Sequence, residues 1–259
     1  MISVICVYNN KDILRKFLLS SLNYQATYNY ELILVDNTTG KFESAPKALN
    51  FGASMAKGDY LMFVHQDVYL LDRDWIKKAE NILNKINDLG IAGVAGVTID
   101  GKKIGHVVEG PERSLYPSSI QCSDPIEVQT VDELLLIIPK SVFNILKFDI
   151  RLTGWHLYGV DYSLSVKKIN LKPYVIPLKV WHYSRGRIDQ SYFKLLWRVM
   201  KKHGVKKLHT TCGTWYRSKL LTALSLLKVA TFSQIGKMIG RNTIGSGVYI
   251  NHIKELFKS

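Results

Sequence analysis

Three short clusters of amide, acidic and imidazole side chains each follow an apolar run: Asn9-Asn10 after Ile2–Tyr8, Asp36-Asn37 after 31–35, and His65-Gln66-Asp67 after 60–64. Acidic and amide groups at such run ends can meet a polar ligand. Two later segments carry related chemistry. His182 closes the run 180–182, and the segment 154–164 holds Trp155, His156, Tyr158 and Asp161. There an imidazole or a carboxylate can carry a proton and an aromatic ring can stack on a ligand. Asp132 and Glu133 stand at the head of a further apolar run and can face a ligand or only solvent.

The elements that must position these groups read as an alternation. The β-branched run at the start suits a strand buried on both faces. Residues 11–22 place Ile13, Leu14, Phe17, Leu18 and Leu22 at helical spacing behind Asn10 as a cap. Strands at 31–35, 60–64 and 91–97 alternate with helices at 44–55 and 72–89, which predicts an α/β fold with a mostly parallel central sheet and helices on both faces. Beyond it come a long Gly- and Pro-punctuated stretch over 100–124, a strand at 131–138, a short helix from Lys140 and a strand at 173–180. From Asp189 onward the chain reads as helices.

In open parallel sheets, ligands bind outside the carboxyl ends of the strands, so the three clusters should face one crevice. Neither G-x-G-x-x-G after the first strand nor G-x-x-x-x-G-K-[ST] occurs, which sets aside dinucleotide dehydrogenases and P-loop NTPases. What stands in order is V-x-x-V-Y-N-N, L-I-L-V-D-N, N-x-G-x-x-x-A-x-G-D-Y-L-x-F-x-H-Q-D, G-W-H-L-Y-G-V-D-Y-S-L and V-W-H-Y-S. Over residues 1–185 this series resembles glycosyltransferase family 2, with an H-Q-D form of the D-x-D motif. The resemblance implies a GT-A-type nucleotide-diphospho-sugar transferase fold for 1–185, followed by a basic helical C-terminal extension over 186–259.

The roles implied by that resemblance attach residue by residue. Asp36 would bind the nucleotide base or ribose, with a turn or capping role as its alternative. Val7, Tyr8 and Asn9 would line the base pocket, joined by Asn50, His65 and Gln66, while Gly52 permits close packing. Asp67 would hold the metal, and His182 would be a further ligand; imidazole favours Mn2+ over Mg2+. Asp132 and Trp155 would meet the acceptor or donor sugar. An inverting transfer needs one base for the acceptor hydroxyl. The family's E-D or Y-D pair usually has an aspartate at its first acidic position, which is Gly159 here, so Asp161 becomes the nearest carboxylate and His156 its reserve. The donor would be a nucleotide sugar, UDP-linked by expectation, and the acceptor a hydroxyl of a glycan or glycolipid. A nucleotidyltransferase is a second possibility, although Asn9, Asn10 and Lys11 lack its Gly-rich basic loop. A binding relative without turnover is a third, prompted by Gly159.

Charge separates the two parts of the chain. Of the 35 Lys+Arg and 21 Asp+Glu, residues 185–259 hold 15 and 2, so nearly all of the net +14 lies there. An amphipathic basic stretch bearing Phe193 and Trp197 can lie on an anionic membrane surface through 190–230, or can be a solvated helical cap. Nucleic acid is the least favoured partner, since no recognised module for it is visible. Cys6, Cys122 and Cys212 are far apart and lack zinc-ligand spacing. A reduced, cytoplasmic location, peripheral on the inner face of the membrane, is the expectation, with no signal peptide read at the start.

Overall fold

The apolar run at the N-terminus forms β1 (Ile2–Tyr8), whose first five residues are buried. Its end leads into a cap: Asn10 Oδ1 accepts from the amides of Asp12 and Ile13, both at 3.0 Å. The helix that follows is not continuous. It runs as α1 (Lys11–Leu14), a π-helical turn at Arg15–Leu19 and α2 (Ser20–Asn23), so Phe17 and Leu18 are both buried across the irregularity. In this computed structural model the described residues are 1–26, 29–115, 119–184, 188–218, 220, 222–224, 226–227 and 253.

The alternation continues through β2 (Tyr30–Asp36), α3 (Ala45–Ser54), β3 (Tyr60–Val64), β4 (Val68–Leu70) and α4 (Trp75–Leu83). On α4, Trp75, Ile76, Ala79 and Leu83 recur at helical spacing and are buried against the sheet, and Trp75 Nε1 donates to the Lys179 carbonyl at 3.1 Å. Next come β5 (Leu89–Gly93), β6 (Ala95–Val97), β7 (Lys103–Gly105), β8 (Val107–Glu109) and β9 (Ser114–Leu115). The single strand expected at 91–97 is thus two. After Gly93 the chain leaves the main sheet, and β6 pairs instead with β7. The stretch 100–124 expected to be irregular contains β7, β8 and β9, which are too short for a periodicity to register.

The chain then forms β10 (Ile126–Glu127), β11 (Thr130–Val131), β12 (Leu135–Pro139), α5 (Lys140–Ile145), α6 (Tyr158–Val166), β13 (Lys172–Val175) and β14 (Val180–His182). The strand expected at 131–138 is broken at Asp132 and Glu133, where the chain passes from β11, paired with β6, to β12, paired with β3 and β5. The main sheet has seven strands in the order β10-β13-β5-β12-β3-β1-β2. β2, β1, β3, β5 and β13 run parallel, while β12 and β10 run antiparallel. One hydrophobic cluster gathers Leu14, Leu18, Met62, Trp75 and Ile137, and another gathers Ile5, Leu49, Phe63, Phe143 and Tyr162, so both faces are covered.

Two compact units divide the chain, Met1–Arg185 and Gly186–Ser259. In the second, α7 (Gln190–His203) is capped by Asp189, whose Oδ1 accepts from the amides of Ser191 and Tyr192 at 2.8 and 3.2 Å. The expectation of helices alone from Asp189 onward is corrected by a hairpin, β15 (Lys207–Thr210) and β16 (Gly213–Tyr216). Buried Trp215 on β16 explains why it forms: its ring meets Tyr192 and Phe193 edge-on at centroid distances of 6.0 and 5.6 Å. Among the described residues, no helix is long and apolar enough to cross a membrane.

Candidate functional site

Parallel pairing of β1 with β2 and β3 brings three carboxyl ends side by side, with Tyr8 opposite Asp36. Just beyond β3, the amide of His65 donates to the Leu134 carbonyl at 3.0 Å, and the chain turns into β4. Antiparallel pairing of β4 with β14 sets Val68 opposite His182. The Tyr183 amide extends that ladder to the Asp67 carbonyl at 3.0 Å. Backbone register therefore places His182 beside Asp67, although the two lie far apart in the chain.

His65, Asp67 and His182 offer one ligand atom each, all within 4.8 Å of one another. Asp67 Oδ1 lies 3.4 Å from His182 Nε2, and Asp67 Oδ2 accepts from the Ser184 amide at 3.2 Å. The Ser184 hydroxyl is 3.2 Å from His182 Nε2. Tyr158 donates its hydroxyl proton to the Glu133 carbonyl at 3.3 Å and stands 3.2 Å from His65 Nε2. With its proton engaged there, the Tyr158 oxygen can accept from a His65 ring protonated at Nε2, the tautomer that leaves Nδ1 with a lone pair.

Electrostatics keep the acidic member ionised. Burial pushes the Asp67 carboxyl up, but the His182 hydrogen bond, the two imidazoles and Ser184 outweigh it and hold the carboxyl well below the ordinary range. Burial lowers the His65 pKa, with His182 adding to the effect. Burial pulls His182 the same way, yet the hydrogen bond and charge of Asp67 overcome it and raise its pKa. Two imidazoles and one carboxylate form a donor set suited to a first-row divalent metal such as Mn2+, and their spacing fits a single ion.

The other sequence-predicted residues fall into groups. Tyr8 donates its hydroxyl to Asp36 Oδ2 at 2.8 Å, and Asp36 Oδ1 accepts from the Thr38 amide and hydroxyl at 2.9 and 2.7 Å. Those bonds from Thr38 and Tyr8, with Lys11 nearby, hold the exposed Asp36 carboxyl down at about 2. Val7, one residue earlier, is half-buried. Gln66 clamps the turn after β1: its Oε1 accepts from the amides of Asn9 and Asn10 at 3.1 and 3.0 Å, and its Nε2 donates to Asn9 Oδ1 at 2.7 Å. Asn9 and Gln66 are thus bonded to each other at the crevice floor.

Asn50, expected at the base pocket, bonds to Phe148. Its amide donates to the Phe148 carbonyl at 2.9 Å and accepts from the Phe148 amide at 3.2 Å, a reciprocal pair that staples α3 to the loop before α6. Gly52 has the packing role: a Cβ there would come within 2.6 Å of Ile5 Cγ2.

On the opposite flank, Asp132 Oδ1 accepts from the Leu134 amide at 3.1 Å, and its charge acts on both His65 and His182. Trp155 is exposed, and half-buried His156 lies close enough to His65 for its charge to be felt there. Leu157 follows with φ 63° and ψ 10°, a left-handed conformation costing about 1 kcal/mol or more for a residue with a side chain. Asp161 is 4% exposed in the first turn of α6, and its charge acts on Arg151.

Ser184, within V-W-H-Y-S, braces both Asp67 and His182, a role that the sequence did not assign. Tyr158 joins His65 to Glu133, which the sequence read as facing a ligand or only solvent. Glu133 Oε1 accepts from the Gly159 amide at 3.2 Å. Burial, with Asp132 adding to it, pushes the Glu133 carboxyl up to about 8 against the pull of the amides of Gly159, Val160 and Leu157.

Of the two aromatic residues expected to reach a lipid surface, Phe193 is fully buried and Trp197 is half-buried, whereas Lys194, Arg198, Lys201 and Lys202 on the same helix are exposed. The rest of the 190–230 stretch beyond residue 227 lies outside the described residues.

Solved structures share this arrangement of strands and helices. GalNAc-T7 with UDP, GalNAc and Mn2+ matches with a TM-score of 0.58 at 16% identity, over 78% of this chain and 47% of that one. The S. aureus TarS 1-349 complex with UDP-GlcNAc gives 0.56 at 14% identity, over 78% and 66%. The mannosyltransferase PcManGT from Pyrobaculum calidifontis, with GDP-Man and Mn2+, gives 0.53 at 12%, over 78% and 63%. At such identities the likeness is one of fold, and that fold is the GT-A type. The model of the Glycosyltransferase like family matches residues 3–203, and the chain belongs to that family. A curated relative, "ATP synthase subunits region ORF 6" of Fuscovulum blasticum, is 28% identical over 158 residues, 57% of this chain and 60% of the relative.

Proposed function

We propose that this protein is a metal-dependent, inverting glycosyltransferase of the H-Q-D subgroup. It would transfer a sugar from a nucleotide sugar, UDP-linked by preference, to a hydroxyl of a glycan or lipid-linked acceptor. The observation that carries the reading is the convergence of His65, Asp67 and His182 within 4.8 Å beyond the carboxyl end of β3. These residues would hold a divalent cation, Mn2+ before Mg2+, which when bound offsets the charge gathering on a departing nucleoside diphosphate. The fold's likeness to proteins crystallised with UDP, UDP-GlcNAc or GDP-Man supports a nucleotide-sugar donor.

The chain's own residues then have distinct tasks. Asp36, kept ionised by Thr38 and Tyr8, accepts from base or ribose, with Val7 and the Tyr8 ring beside it. Gln66 and Asn9 keep the turn after β1 in place, and Asp132 and Trp155 orient sugar. Residues 1–185 form the catalytic domain. The 186–259 extension offers its exposed lysines and arginines to an anionic membrane surface at the cytoplasmic face.

A panel of nucleotide sugars, with and without Mn2+, tests this by melting temperature and nucleoside diphosphate release. Ligands that bind the native state raise the melting point. The expected result is Mn2+-dependent stabilisation by at least one donor with slow release of its diphosphate. Stabilisation without release, acceptors included, would favour a binding relative; neither effect would refute a nucleotide-sugar site.

A further inference from the structure

The first three residues of α6, Tyr158, Gly159 and Val160, carry no carboxylate; Asp161 follows in the same turn, and Leu157 before them makes no side-chain cap. A second carboxylate reaches this helix start from the break between β11 and β12. A Cβ on Gly159 would lie only 2.9 Å from Glu133 Cγ, so the Glu133 side chain fills the space that a longer residue at 159 would claim. Glu133 Oε1 accepts from the Gly159 amide at 3.2 Å, which steadies its charge at the positive end of the helix. Through Tyr158, bonded to the Glu133 carbonyl at 3.3 Å and to His65 at 3.2 Å, the same residue is tied to the metal cluster.

We propose that Glu133 is the catalytic base of the transfer, delivered from the β11–β12 break to the place vacated by glycine at 159; this rests on the transferase reading of the same crevice. Asp161 is 4% exposed within α6, and Glu133 is half-buried as a residue with its carboxyl enclosed. Its carboxyl, raised to about 8, has the basicity that proton removal near neutral pH requires. In the step, the acceptor oxygen bonds to the anomeric carbon on the face opposite the leaving group. Its proton passes to Glu133, the bond from the anomeric carbon to the diphosphate oxygen breaks, and that electron pair departs with the nucleoside diphosphate. Charge and atoms balance without another reactant, and the configuration inverts.

The test uses the full chain with Mn2+ and a panel of UDP-Glc, UDP-Gal, UDP-GlcNAc, UDP-GalNAc and GDP-Man, with water as acceptor in diphosphate release. Glu133→Gln retains an acceptor for the Gly159 amide, so folding and Mn2+-dependent stabilisation should persist while release falls on the order of 10²- to 10⁴-fold. The double variant Glu133→Ala with Gly159→Asp returns a carboxylate to the same place and should recover release at least tenfold over Glu133→Ala. Wild-type release that survives Glu133→Gln overturns the base assignment alone. Loss of Mn2+ binding together with release in Glu133→Gln also overturns it, because the residue would then act through the metal site. Donor stabilisation by Mn2+ with no wild-type release from any donor also overturns the base but leaves the nucleotide-sugar site standing. Absence of both sinks the underlying reading.

Discussion

The two flanks of the crevice are assembled by different means. On one, strand ends and ladders do the positioning: β1, β2 and β3 fix Tyr8, Asp36 and His65, and the pairing of β4 with β14 delivers His182 to Asp67. On the other, a loop with a left-handed Leu157 leads into α6, and its carboxylate arrives from the break between β11 and β12. Register leaves little freedom in which residue occupies a position. A helix N-terminus, in contrast, can be served by any side chain that reaches its amides. The flank built on ladders therefore has its groups in motif order, while on the loop flank the carboxylate at the Gly159 amide comes from another part of the chain.

Substitutions can break that contrast, and the largest effect belongs to the ladder flank. Asp67→Ala should reduce nucleoside diphosphate release about 10³-fold, the several kcal/mol that charge stabilisation by a metal supplies, measured at saturating donor. An unchanged rate would mean the strand ends do not carry the cation. On the loop flank, the Glu133 carboxyl at about 8 must lose its proton to act, so release should rise about tenfold from pH 7 to pH 9. Asp132 and Tyr158 also face Glu133, so the rising limb must vanish in Glu133→Gln to be assigned to it.

Smaller effects sharpen the packing side of the comparison. Gly159→Asp alone crowds Glu133 Cγ and should lower unfolding stability by about 1–3 kcal/mol in urea titrations. Added to Glu133→Ala, the same change should cost much less, which would locate both side chains in one space. Asn50→Ala removes the reciprocal pair with Phe148 and should cost about 1–2 kcal/mol. The Mn2+-dependent shift in melting temperature should be unchanged by it, because Asn50 touches the loop and not the metal cluster.

Much of the ladder flank was legible before the fold was known. Ile2–Tyr8 and 60–64 are apolar runs bounded by polar groups, and the carboxyl-end rule for parallel sheets put His65, Asp67 and Asp36 in one crevice. His182 could be singled out through its family context, but its contact with Asp67 depends on a long-range pairing that no local pattern encodes. The loop flank was less legible for a related reason: in the chain Glu133 reads equally as facing a ligand or as a solvated strand end, and its approach to Gly159 is a long-range contact that no local pattern encodes.

Local periodicity also misled in the second unit. The stripe Phe193, Leu196, Trp197 and Met200 reads equally well as lipid-facing or core-facing, and the choice is made by Trp215 on a hairpin of two four-residue strands. Strands that short carry too little pattern to outweigh a run of helical residues on either side.

His65, Asp67 and His182 together should bind one divalent cation. Titration of the full chain with Mn2+, with free Mn2+ followed by electron paramagnetic resonance, measures this, with Asp67→Asn and His182→Ala alongside. One bound ion per wild-type chain, lost or weakened at least tenfold in both variants, is the predicted result. Binding that is absent from the wild type, or unaltered in either variant, would contradict the claim.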